Sequence, residues 1–111
     1  RYVRTINREC EKKSGLGHTA ELLILTGDSA RFQQHLEHDE WAALRDNLAR
    51  AARTASAAGA DALVVCGSCL NPLAKEIGQD LNYPVVSLGQ AVAATLARFR
   101  FKRAGFLGLH T

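Results

Sequence analysis

Two cysteines stand close together in the run Val64-Val65-Cys66-Gly67-Ser68-Cys69. The first of them, Cys66, ends an apolar stretch that starts at Ala60 and is apolar on both faces, the pattern of a central parallel strand. Asn71-Pro72 follows, matching an N-cap with proline at the first helical position, and Gly67-Ser68 supply a tight turn between. A thiol at such a strand-to-helix junction meets unpaired N–H groups and the positive end of a helix dipole. That setting lowers a thiol pKa and favours the thiolate, the reactive form. The same N–H groups can hold a carboxylate. A base or nucleophile and an anion site at one spot is a catalytic arrangement. An inert buried cysteine is the competing reading, because thiols are among the most interior side chains, and placement alone leaves both open.

Other readings of the same residues are weaker. Cys66-x-x-Cys69 is the spacing of a thioredoxin-type redox pair; against it, Cys66 abuts the strand directly and the helix starts only at Pro72. A zinc site lacks a second cysteine pair, so no metal is expected. Cys10 reads as a core residue. Asp28 and Arg31 follow the apolar run Leu22 to Thr26, which places them near a strand's carboxyl end. Arg31 suits a substrate carboxylate, with helix capping and surface charge as the ordinary alternative. His18 reads as structural, and His35, Glu37, His38 and Asp39 as a solvated helix face. Arg98 to Arg103 interleaves cations and aromatics, as nucleic-acid surfaces do. The favoured reading there is cations complementing a helix C-terminus while the aromatics enter the core.

These residues need a scaffold to position them. Tyr2, Val3, Ile6 and Cys10 fall at helical spacing, and Ser14-Gly15-Leu16-Gly17 ends that helix. Leu22 to Thr26 has the length and composition of a strand, and Gly27-Asp28-Ser29 closes it with turn and cap chemistry. Phe32 and Leu36 mark a short helix. Asp39 then caps a longer one, with Trp41, Leu44, Leu48, Ala51, Ala52 and Ala55 on one face and Gly59 as its left-handed stop. After the strand ending at Cys66 comes a helix with Leu73, Ile77 and Leu81 inward. A strand from Pro84 to Leu88 follows, then a helix from Ala91 to Phe99 with Val92, Leu96 and Phe99 inward, and a strand from Ala104 to Leu107. Alternation of this kind predicts an α/β domain: a three-layer, doubly wound parallel sheet with helices on both faces. Ligands of such sheets bind beyond the carboxyl ends of the strands.

The chain of 111 residues suits one domain, 1–111, and can bury a core without disulfides or a structural metal. Its net charge of +3 is too mild to imply nucleic acid. No apolar run approaches the ~20 residues of a membrane span, so no membrane role is expected. The odd count of three cysteines is not a disulfide framework and favours a reducing, cytoplasmic setting. Methionine is absent and Arg1 opens the chain, which suggests part of a longer polypeptide.

Four stretches resemble the first lobe of the aspartate/glutamate racemase superfamily. Tyr2-Val3-Arg4-Thr5-Ile6-Asn7 is similar to that family's first helix. Leu16-Gly17-His18-Thr19-Ala20-Glu21-Leu22 resembles its Gly-His-Ser-Ala run entering the second strand. Trp41-Ala42-Ala43-Leu44 through Ala57-Ala58-Gly59-Ala60-Asp61 resembles its long helix and turn, and Val64-Val65-Cys66-Gly67-Ser68 falls where it has an apolar strand ending in Cys-Asn-Thr. The resemblance covers nearly all of this chain and about half of a typical member. It implies an incomplete single lobe lacking its first strand and the second lobe with its cysteine. It also implies a cofactor-independent amino-acid racemase in which one thiolate removes the α-proton and a thiol on the opposite face returns one. Cys66 would be the first-lobe cysteine, with the Gly67 N–H and the Ser68 hydroxyl on the substrate carboxylate. The substrate would be an amino acid or dicarboxylate, homodimers are common in the family, and this fragment alone would be inactive. Gly67 stands where the family has asparagine. That departure keeps open the sister cysteine-dependent decarboxylases and isomerases, and a lobe that only binds.

Overall fold

The computed structural model describes residues 2–105. Its elements are α1 (Tyr2–Ser14), α2 (Ser29–Glu37), α3 (Trp41–Ala57), β1 (Leu63–Val65), a 3-10 turn (Ser68–Leu70), α4 (Asn71–Leu81), β2 (Val85–Ser87) and α5 (Leu88–Arg98). From β1 onward the expected α/β alternation and parallel pairing are formed: β1 and β2 run parallel in the register Leu63 to Val85, Val64 to Val86 and Val65 to Ser87.

The core lies between α3 and α4 rather than across a wide sheet. Leu44, Ala49, Ala52 and Ala55 of α3 and Leu73, Ala74 and Ile77 of α4 are buried. Ala49, Ala52 and Ile77 form one apolar cluster that Leu48, Leu63 and Leu81 extend. Alanines on α3 allow the two helices to approach closely. Above this core Arg45 of α3 pairs with both Glu76, at 3.5 Å, and Asp80 of α4. Gly78 explains how α4 also lies on β2: a Cβ at that position would come within 3.3 Å of Val85. At the lower end the Tyr83 hydroxyl donates to the Ala60 carbonyl at 2.5 Å, tying the start of β2 to the turn before β1.

Local chemistry accounts for most boundaries. Gly15 takes a left-handed φ of 103° where α1 stops, and Gly59 one of 86° after α3. Asp28 caps α2, accepting from the Ala30 N–H at 2.9 Å. Ser87 caps α5 in a capping box: its hydroxyl accepts from the Gln90 N–H, and the Gln90 side chain accepts from the Ser87 N–H. Ser87 is buried, so its loss also strands a donor. Ser87→Ala is expected to cost about 1 kcal/mol, read as a lower urea midpoint at unchanged slope. On α1, the Lys12 ammonium bonds the Glu9 carboxylate at 2.8 Å, and its hydrogen bond and charge hold that carboxyl below its usual range.

Several expectations are corrected. Leu22 to Thr26 is not a strand; no ladder partner pairs with it among the described residues, and its leucines and isoleucine lie exposed. An extended run becomes a strand only when another backbone takes up its N–H and C=O groups. The strand expected from Ala60 to Cys66 shortens to Leu63–Val65 and is not buried on both faces, since Val64 is 51% exposed. Here too the cause is a missing neighbour: the sheet of the described residues has two strands. Asp39 does not cap α3. It takes a left-handed φ of 54° to turn the chain between α2 and α3, and Glu40 occupies the cap position without a side-chain bond. The helix expected from Ala91 begins earlier, at Leu88, because Ser87 supplies the cap. Phe99 does not point inward: it is 58% exposed and stacks on Phe101 at 5.7 Å, with the Arg98 guanidinium over its ring. Ala104 and Gly105 are not in a strand, and the remainder of that expected strand lies outside the described residues. The radius of gyration is 15.7 Å, above the ~13 Å of a compact chain of this length, in keeping with an open sheet.

Candidate functional site

Cys66 is the first residue after β1, at the strand's carboxyl end, and it is exposed. Among the described residues nothing buries it. Cys69 is a half-buried thiol in the 3-10 turn that follows, and Cys10 a half-buried thiol on α1. Gly67 is half-buried and Ser68 exposed.

The turn is built differently from the expected N-cap. The Leu70 N–H donates to the Gly67 carbonyl at 3.1 Å and the Asn71 N–H to that of Ser68, so a 3-10 turn runs directly into α4. Asn71 is thus the first residue of α4 and not its cap; Leu70 holds that position with helical dihedrals. Freed from capping its own helix, the Asn71 side chain accepts from the Gly89 N–H at 3.2 Å. One hydrogen bond thereby locks the start of α4 to the start of α5, both at the carboxyl end of the sheet.

These bonds take up donors at both helix starts. At α5 the Gly89 and Gln90 donors are already taken by Asn71 and Ser87. At α4 the Leu70 and Asn71 donors are taken and Pro72 has none. The N–H group of Gly67 has no acceptor among the described residues. A free N–H in a turn can contribute to an anion-binding concavity, and this one adjoins the Cys66 thiol in sequence. These helix-start donors are therefore satisfied internally, and the loop itself carries a free one at Gly67.

Arg31 lies in the first turn of α2, exposed, and makes no hydrogen bond or ion pair among the described residues. Its helix packs on α3. Cys66, Gly67 and Ser68 are thus held together by one turn, while Arg31 stands on a separate element. Two surface concavities, of about 260 and 230 Å³, are lined by Arg53, Ser56, Ala57, Leu81 and Tyr83, and by Ala91, Val92, Thr95 and Leu96. Neither includes Cys66, and the first lies at the end where the strands begin. The histidines bond locally: His35 pairs with Glu40, and His38 meets the Gln34 carbonyl at 2.8 Å. No cluster of three or more histidine, cysteine or acidic side chains occurs among the described residues. No helix among them is long and apolar enough to cross a membrane.

Sequence reading missed Ser87 and the role of Asn71. The first was legible, because Ser87-x-x-Gln90 is a capping-box pattern. The second was not, since its partner lies on another helix.

A family model described as Asp/Glu/Hydantoin racemase matches residues 1–111. The chain belongs to this family. Among solved structures it is similar to a Yersinia pestis protein provisionally described as an Asp/Glu racemase. The TM-score is 0.83 at 24% identity over 89% of this chain, which shows a shared fold. The chain spans 43% of that protein's length.

Proposed function

We propose that Cys66 is a proton-transfer thiol acting at the α-carbon of an amino acid or dicarboxylate, in a cofactor-independent racemase of the aspartate/glutamate type. The observation that carries this is the exposed thiol directly before the Gly67 N–H, which has no acceptor among the described residues, in a member of the racemase family. The Gly67 N–H and Ser68 would hold the substrate carboxylate, and that hold would aim the α-carbon at the Cys66 sulfur. The thiolate takes the α-proton, and the carboxylate-binding donors stabilise the charge that moves onto the carboxylate oxygens. Inversion then needs a donor on the other face. Cys69 sits in the same turn as Cys66 and would approach from the same side, so the second group belongs to another lobe. Arg31 is assigned to a second carboxylate of a dicarboxylic substrate. A sister reaction rests on one observation: Gly67 carries no side chain where the family's asparagine has an amide, which suits a decarboxylase or isomerase on the same scaffold.

The test is exchange in heavy water with the longest polypeptide expressed from the gene. Aspartate, glutamate and a hydantoin are each incubated and followed by NMR and chiral chromatography. Loss of the α-proton signal with appearance of the opposite enantiomer is expected. Release of carbon dioxide instead would replace racemisation by decarboxylation, and absence of any Cα exchange across these substrates would overturn the assignment. The 111-residue chain alone is expected to show no inversion.

A further inference from the structure

The mechanism above uses Cys66 and leaves Cys69 without a task. Cys66 is exposed, and Cys69 lies on the same turn, half-buried. The Cys69 sulfur is 3.9 Å from where a Cβ on Gly67 would stand. The Cys69 sulfur therefore lies within van der Waals reach of the Gly67 position, the residue next to Cys66. Closing a ring across only Gly67 and Ser68 costs little chain entropy. An accessible thiol beside a second thiol is the arrangement of a redox-sensing pair.

We propose that Cys69 is a resolving cysteine that converts oxidised Cys66 into a reversible intramolecular disulfide. The oxidant is a hydroperoxide. The Cys66 thiolate attacks its distal oxygen, the O–O bond breaks, and the alkoxide or hydroxide leaves and is protonated. Cys66 becomes a sulfenic acid, oxidised by two electrons. The Cys69 sulfur then attacks the Cys66 sulfur, the S–S bond forms, and the S–O bond breaks. Hydroxide departs and takes up the Cys69 proton as water. A dithiol reverses the step by thiol–disulfide exchange and is itself oxidised to a disulfide. The bond ties up the Cys66 sulfur and spares it from irreversible sulfinic acid. The consequence for activity rests on the proton-transfer reading; formation of the bond does not.

The experiment reads sulfur chemistry and needs no turnover. The 111-residue chain carrying Cys10→Ser, which removes the third thiol, is treated with stoichiometric hydrogen peroxide, alkylated with N-ethylmaleimide and mapped by mass spectrometry. Loss of two hydrogens is expected, with both Cys66 and Cys69 protected and both restored by dithiothreitol. Adding Cys69→Ser should leave Cys66 as a dimedone-reactive sulfenic acid that proceeds to sulfinic acid and no longer recovers. Cys66 oxidising to sulfinic acid equally fast with and without Cys69 would overturn the proposal. So would a disulfide that forms in urea and not in the folded chain.

Discussion

Cys66→Ala is expected to lower turnover of the longest polypeptide expressed from the gene by about 100- to 10,000-fold, the range lost with a positioned general acid or base. The change should leave the fold alone. Cys66 is exposed and outside the α3–α4 cluster, and surface substitutions of this kind stay within about 0.5 kcal/mol. Cys66→Ser is expected to fall nearly as far, because a hydroxyl does not ionise near neutral pH as a thiol can. Initial rates and a urea melt on the same preparations check the pair. Turnover retained in Cys66→Ala would sink the proton-transfer role. A drop accompanied by an equally large loss of stability would move Cys66 from chemistry to structure.

The largest effect on stability is expected at Ile77. It is 1% exposed and joins Ala49 and Ala52 where α3 meets α4. Ile77→Ala removes its contacts and leaves a cavity, at a cost of about 2–5 kcal/mol, while Ile77→Val should cost about 0.5–1.5 kcal/mol. Marginal domains hold only about 5–15 kcal/mol in total, so the alanine variant should unfold at a much lower urea concentration. Val64→Ala is the informative control. Val64 belongs to a strand, yet it is 51% exposed, and its truncation should be close to neutral. An equal cost at Val64 and Ile77 would show that the face of β1 is covered in the folded chain and would contradict the helix-centred core.

How legible the fold was depends on where each element finds its stabilising partners. α1 and α2 read well because apolar spacing, Asp28 and Gly15 act within a few residues, and α4 because Leu73, Ile77 and Leu81 recur at helical spacing. Asp39 misled because its type suits a cap and a left-handed turn equally, and the sharp reversal between α2 and α3 required the turn. Leu22 to Thr26 misled for another reason. Composition makes a run able to pair, but pairing needs a second backbone, and none lies beside it among the described residues. Phe99 was assigned inward from helical spacing alone, and stacking with Phe101 holds it at the surface.

By itself the sequence determined the alternation of helices and strands, the racemase-type resemblance, and the choice of Cys66 as the residue at a strand's end. Those depend on local spacing and on residue order. Tertiary structure decided what that thiol faces. It showed Cys66 exposed, gave the Gly89 and Gln90 donors of α5 to Asn71 and Ser87, and turned residues 68–70 into a 3-10 segment preceded by a Gly67 N–H with no acceptor among the described residues. Which donors stay free is set by hydrogen bonds between elements distant in sequence, and no local pattern records them.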